Sequence, residues 1–73
     1  MTTFVKLFTD YNDLNRKFNA DVRNYSDIIG VEVNYSTYVI DLGYERILYC
    51  STYEPHKLRG LKIDKLWYDD SVS

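Results

Sequence analysis

Residues 10–30, DYNDLNRKFNADVRNYSDIIG, carry the strongest periodic pattern in this chain and decide its fold class. Their apolar side chains recur every three or four positions, which is the spacing of one face of an α-helix. Asp10 is a suitable N-cap, and Gly30 is a suitable residue to end the helix. Four asparagines disfavour the helix, so we expect it to depend on docking this apolar stripe against a sheet. The stripe consists of Tyr11, Leu14, Phe18, Val22, Tyr25 and Ile29.

Short apolar segments on both sides of this helix predict β-strands. After Gly30 the apolar residues recur at every second position, which is typical of strands with one buried face. The parity of this pattern changes at Tyr35-Ser36-Thr37, which predicts a turn between two strands, and Gly43-Tyr44 predicts a second tight turn. The predicted strands are residues 4–8, 31–35, 38–42, 45–51 and 61–68, and residues 52–60 form a connector interrupted by Pro55.

The order of these elements, β-α-β-β-β-β, predicts a single α+β domain over residues 1–73. We expect one amphipathic helix packed on a mostly antiparallel sheet of four to five strands. Residues 69–73 are expected to form a flexible acidic tail. No further element is predicted to cover the face of the sheet opposite the helix.

The composition narrows the possible functions. A chain of 73 residues builds one thin core, because a domain this small buries only about 60% of its unfolded surface. A net charge of −2 argues against broad electrostatic binding to nucleic acid. The single Cys50 forms no internal disulfide, and Cys and His lack zinc-finger spacing, so we predict no metal or cofactor. Without an apolar run of roughly 18 residues, we expect no membrane contact and a cytoplasmic location.

Eight tyrosines are the unusual feature of the composition. A small core does not enclose that many rings while giving each hydroxyl a hydrogen-bond partner, so several are expected at the surface. Half-buried packing on strands explains any single ring. Since Tyr is enriched at interfaces, the strand tyrosines also predict a surface for self-association or for a partner protein. The candidates are Tyr35, Tyr38, Tyr44 and Tyr49.

Near the C-terminus, KLRGLKIDKLWYDD (residues 57–70) combines a Leu-Arg-Gly turn, an apolar strand and two acidic residues. With the predicted hairpin before it, this segment (residues 34–70) resembles the Walker B region of phage terminase large subunits and related P-loop motors. The resemblance implies that Asp69 would hold the water shell of a Mg²⁺ ion and that Asp70 replaces the usual catalytic Glu. However, the chain has no G-x-x-x-x-G-K-[ST] loop to cradle phosphates.

The same segment contains the chain's only cluster of basic residues, interleaved with aromatic residues. Stacking rings and phosphate-pairing cations are what a nucleotide or single-stranded nucleic acid requires. Neighbouring acidic residues nearly cancel the charge, which also fits an ordinary solvated face. The candidate binding residues are Tyr53, His56, Lys57, Arg59, Lys62, Trp67 and Tyr68.

These observations predict a small non-catalytic protein that binds a larger host protein, itself, or both. The short, tyrosine-rich chain and its terminase-like segment resemble a phage-encoded accessory protein. That resemblance implies a role in the host cytoplasm, where the protein would inhibit a host defence or enzyme by occupying a surface or by sequestering a nucleotide signal. The alternative is a module that binds nucleotides or single-stranded nucleic acid. A nucleophilic pair of Cys50 and His56 is the remaining enzymatic interpretation.

Overall fold

The computed structural model describes residues 1–70 and has the predicted α+β fold, with one helix and a five-stranded sheet. A connector, residues 52–64, contains the 3₁₀ turn Pro55–Leu58. Residues 71–73 of the predicted acidic tail lie outside the described residues. The elements are β1 (Thr2–Phe8), α1 (Tyr11–Tyr25), β2 (Glu32–Asn34), β3 (Val39–Asp41), β4 (Glu45–Ser51) and β5 (Lys65–Tyr68).

The sheet has the strand order β2-β3-β4-β1-β5 and is mixed, whereas the sequence predicted a mostly antiparallel one. β1 pairs in parallel with both β4 and β5, while β3 pairs in antiparallel with β2 and β4. Parallel pairing requires a long crossover that returns the chain to the same end of the sheet. α1 provides the crossover between β1 and β4, and the connector provides the one between β4 and β5.

α1 begins where the sequence predicts but ends five residues before Gly30, at Tyr25. The Asp10 side chain accepts a hydrogen bond from the amide of Asn12 at 2.8 Å, as an N-cap does. At the other end, the Ser26 hydroxyl donates to the Arg23 carbonyl at 2.7 Å and competes with continued helix. Ile29, assigned to the apolar stripe, is consequently 99% exposed. Within residues 1–70, no helix combines the length and apolar character that crossing a bilayer requires.

The predicted turn between β2 and β3 is confirmed. The Asn34 side-chain oxygen accepts hydrogen bonds from the amides of Ser36 and Thr37, at 3.0 and 3.1 Å. Tyr38 then has φ +59°, a left-handed conformation that non-glycine residues adopt infrequently. The chain reverses its direction here, and the residues that face the helix change from odd-numbered in β2 to even-numbered in β3.

The two faces of the sheet are covered by different elements. On the helix face, Phe8, Ile40, Ile47 and Tyr49 pack with Leu14 and Phe18 of α1 into the main core. The opposite face, which the sequence left without a cover, is partly covered by the connector. Val5 and Cys50 on this connector face are 0% and 2% exposed.

A buried ion pair joins three elements on the helix face. The Lys6 ammonium of β1 lies 2.9 Å from Oδ2 of Asp21 in α1, and the same oxygen accepts a hydrogen bond from the hydroxyl of Tyr49 in β4. Lys17 approaches the other carboxylate oxygen at 3.5 Å. The Lys6 ammonium also lies 5.3–5.9 Å from the ring centroids of Phe4, Tyr49 and Trp67, within range of cation–π attraction.

This arrangement shifts two acid–base equilibria. Burial alone would raise the pKa of Asp21, but hydrogen bonds from Tyr49 and Lys6, with the charges of Lys6 and Lys17, outweigh it and lower the pKa below the usual 3.8. Burial raises the pKa of Tyr49, and its hydrogen bond to the Asp21 carboxylate raises it further. Asp21 is therefore the charged member, and Tyr49 is a neutral donor.

Phe18→Ala should strongly destabilise the fold. The Phe18 ring makes edge contacts with Tyr38 and Tyr49, each at 5.2 Å between centroids, and with Tyr35 at 5.8 Å. Its removal should lower the unfolding free energy in urea by about 3–5 kcal/mol. Asn19→Ala, at the exposed neighbouring position, is the control and should raise the unfolding free energy slightly, by at most about 0.7 kcal/mol, because Ala is the better helix former. A loss below about 1 kcal/mol for Phe18→Ala would contradict the packing described here.

Stability should fall in acid because of Asp21. Its folded-state pKa is lower than its unfolded one, so the carboxylate contributes stability that is present above the unfolded pKa and is lost as pH falls through the folded pKa. Urea unfolding of Asp21→Asn between about pH 5 and pH 2 should therefore show a shallower decline than the wild type. Tyr49→Phe, which removes one donor, should give an intermediate slope.

The matched control is Asp13→Asn on the same helix, which removes a surface ion pair with Arg16. It should retain most of the acid dependence of the wild type. Identical slopes for Asp21→Asn and the wild type would show that the buried pair does not couple folding to protonation.

Candidate functional site

An open groove of about 750 Å³ lies on the connector face, between the β2–β3 hairpin and the connector. Its volume falls in the range of roughly 300–1,000 Å³ found for ligand pockets. We name it the connector groove. Its principal lining residues are Tyr35, Val39, Asp41, Arg46, Leu48, Lys57 and Leu61.

The floor of the connector groove is aliphatic. Val39 of β3 and Leu48 of β4 are register partners, so their side chains lie next to each other on one face. Leu61 of the connector lines the same groove, because the chain crosses this face on its way from β4 to β5. All three are half-buried, which leaves apolar surface accessible from the groove.

Charged side chains surround this floor. Asp41 and Arg46 are also register partners on β3 and β4, and Glu32 and Lys57 line the groove as well. Among residues 1–70, Nε of Arg46 is buried without a hydrogen-bond partner. A buried donor left unpaired costs free energy. A bound molecule that supplies an acceptor to Nε of Arg46 would remove this cost and would therefore bind favourably here.

Lys57 is the second cation of the groove. Its ammonium lies 3.0 Å from a carboxylate oxygen of Glu54, with 39% of the side chain exposed. A pair this exposed contributes little to stability. Lys57 thus retains the freedom to contact a bound anion together with Arg46.

Cys50 lies beneath the connector and is 2% exposed. Its thiol approaches the carbonyl oxygens of Ser51 and Glu54 at 3.4 and 3.5 Å. Burial raises the pKa of the Cys50 thiol, and the charge of Lys57 opposes this only partly. Since the thiolate is the nucleophilic form, these surroundings favour a structural role. His56 lies exposed in the 3₁₀ turn.

The structure distributes the predicted basic and aromatic residues over both faces. Trp67 lies on the helix face, where its ring contacts Phe8 at 5.4 Å and the Lys17 ammonium at 5.8 Å. Tyr68 lies on the connector face and is 52% exposed. Of this set, Lys57 lines the connector groove. The remaining members are exposed on the connector: Tyr53, His56, Arg59 and Lys62.

The predicted tyrosine surface is also divided. Tyr35 lines the connector groove and is 64% exposed, and Tyr44, 67% exposed, lies at the β3–β4 turn. Tyr38 is half-buried and packs against Phe18. Tyr49 is 2% exposed with its hydroxyl bonded to Asp21, so it belongs to the core and presents no surface to a partner.

Sequence reasoning did not identify Asp41, Arg46, Leu48 or Leu61 as site residues. One available signal was the alternation in β4, which places Arg46, Leu48 and Cys50 on the same face. No local sequence pattern indicates that the connector crosses that face.

Asp69, the metal-holding residue implied by the Walker B resemblance, lines a second cavity of about 350 Å³ beside α1. Its amide donates to the Leu7 carbonyl at 3.0 Å, continuing the pairing of β5 with β1. Asp13, Arg16 and Lys17 line the same cavity, and Arg16 lies 3.0 Å from a carboxylate oxygen of Asp13, so the cavity contains two acidic and two basic side chains. Within residues 1–70, no three His, Cys, Asp or Glu side chains are grouped to hold a metal ion.

Comparison of this chain with models of protein families, with curated proteins and with solved structures gave no significant match. The connector groove and its charges are therefore the observations from which a function is proposed.

Proposed function

We propose that this chain is a non-catalytic binding protein that inhibits a larger protein by occupying part of its surface. The connector groove is the contact site, and its occupant is an extended segment of the partner. The observation that carries this proposal is an open, aliphatic floor on a hydrogen-bonded sheet, with two cations at its border.

The chemistry of the groove defines the segment. An aliphatic side chain would cover Val39 and Leu48, and a carboxylate would accept hydrogen bonds from Arg46 and Lys57. Charge-assisted hydrogen bonds of this kind are short and strong, and Arg is well suited to them because its guanidinium donates two parallel bonds. Asp41 and Glu32 on the same border disfavour a segment with several acidic residues, so a single carboxylate next to an aliphatic residue is the preferred pattern.

The Walker B resemblance and the small, tyrosine-rich chain support assigning the protein to a phage. The partner is then a host defence protein or host enzyme in the cytoplasm of the infected cell. The buried, protonated thiol of Cys50 supports action by binding, because it is a poor nucleophile.

A nucleotide is the second candidate occupant. The groove volume of about 750 Å³ is large enough for one, Arg46 and Lys57 would pair with its phosphates, and its base would lie on the aliphatic floor formed by Val39 and Leu48. This arrangement replaces the predicted set built on Tyr53, Arg59 and Trp67, since Trp67 lies on the other face of the sheet.

Removing both cations should weaken partner binding. Immobilised wild-type protein should retain one host protein from extract, and the Arg46→Ala, Lys57→Ala double variant should bind that purified partner at least about tenfold more weakly by calorimetry. The matched control is the Arg23→Ala, Lys62→Ala double variant, which removes equal charge from exposed positions outside the groove. Circular dichroism melts verify that both variants fold.

Two results would count against the proposal. Equal affinity of the groove variant and the wild type would exclude the connector groove as the contact site. Tight, salt-sensitive binding of labelled nucleotides, lost in the groove variant and retained in the control, would favour the nucleotide as occupant.

A further inference from the structure

The two outer strands of the sheet differ in how well they are protected against further pairing. β2 has three residues, begins with the charged Glu32 and is followed by the turn that contains the left-handed Tyr38, features that limit edge pairing. β5 has four residues and exposes apolar side chains: Leu66 is 45% and Tyr68 52% exposed. Within residues 1–70, β5 has β1 as its single strand neighbour.

The direction of the β5 backbone groups follows from its pairing with β1. The Asp69 amide donates to the Leu7 carbonyl at 3.0 Å, so the backbone of residue 69 faces β1. Backbone groups of successive strand residues point to opposite sides. The N–H and C=O groups of Lys65 and Trp67 therefore also face β1, and those of Leu66 and Tyr68 face the open edge.

We infer that this edge pairs with β5 of a second copy of the chain, in antiparallel orientation, and extends the sheet across a two-fold axis. The self-complementary sequence of residues 65–69 identifies the occupant. With Trp67 opposite Trp67 of the second copy, Leu66 and Tyr68 of opposite chains form hydrogen-bonded pairs. In the same register, Lys65 of each chain lies opposite Asp69 of the other. The Lys65 ammonium, which lies 2.9 Å from a carboxylate oxygen of Glu45 in its own chain, thus gains a second unlike charge at both ends of the strand pair.

Neighbouring registers lose this complementarity. The two sheets form one continuous sheet only if paired residues lie on the same face. The alternative registers are therefore those in which the two-fold axis passes through another residue of β5. Centring the axis on Leu66 places Lys65 opposite Trp67, and centring it on Tyr68 places Trp67 opposite Asp69. The register centred on Trp67 is thus the one in which both charged residues are matched.

The interface is small, because a four-residue strand pair buries less than the roughly 1,200 Å² of a standard stable complex. The dimer should therefore be weak and depend on protein concentration. It leaves the connector groove open, so this inference is independent of the proposed function.

Sedimentation equilibrium and native mass spectrometry over a concentration series test the inference. The wild type should dimerise reversibly, and Leu66→Pro, which removes an outward N–H without removing a bond to β1, should be monomeric. Lys65→Glu and Asp69→Lys should each weaken self-association about tenfold, since each creates two like-charge pairs across the interface. Lys65→Glu also removes the ion pair with Glu45 of its own chain, so circular dichroism melts verify that both variants fold. Mixing these two variants should restore association as a heterodimer, because the opposed charges are then unlike at both positions.

Asp27→Lys is the matched control for charge, with the same change at an exposed position outside the sheet, and should associate as the wild type does.

Amide hydrogen exchange is measured on the wild-type protein, so a folding defect of a variant does not affect the result. Leu66 and Tyr68 amides should gain protection as concentration rises, whereas Tyr53 should not. A wild type that is monomeric at millimolar concentration would overturn the inference. A dimer insensitive to Leu66→Pro, or no heterodimer on mixing, would also overturn it.

Discussion

The position of the helix on the sheet depends on the buried contacts among Lys6, Asp21 and Tyr49. One carboxylate from α1 receives an ammonium from β1 and a hydroxyl from β4, so three elements distant in sequence meet at a single oxygen atom. The desolvation cost of such a pair offsets most of its attraction, so its net contribution to stability is modest. Its larger effect is on specificity, because any rotation or translation of α1 along the sheet would leave a charge buried without a partner.

The aromatic rings around Lys6 lower the free-energy cost of burying its ammonium. Phe4 and Trp67 on β1 and β5 flank the ammonium, and their faces carry partial negative charge. The long alkyl stem of lysine packs among the rings while its ammonium reaches Asp21. Trp67 thereby contributes to the stability of the core, and its indole is committed to the helix face.

Local patterns in the sequence predicted the local features of the fold. The cap at Asp10, the turn at residues 35–37 and the single helix each depend on neighbouring residues, and each was found. The parallel pairing of β1 was not predictable in the same way, because it follows from where two long crossovers return the chain. Asp21 illustrates the same limit: an acidic residue in a helix is usually solvated, and its burial is decided by Lys6, fifteen positions earlier. For the site, Lys57 and Tyr35 were identified from composition, whereas Arg46 and Leu48 acquire significance only when the connector crosses β4.

The central place of β1 has a consequence for how the protein is made. This strand is synthesised before β4 and β5, its two neighbours in the sheet. At about 5–20 residues per second, several seconds pass in which neither edge of the nascent strand is paired with another strand. During that interval Phe4-Val5-Lys6-Leu7-Phe8 is an apolar strand available to chaperones or to other nascent chains, and the lysine at its middle is the one charge that opposes aggregation. Lys6, which orients the helix on the sheet, is thus also the charge that opposes aggregation of β1 before its neighbouring strands are made.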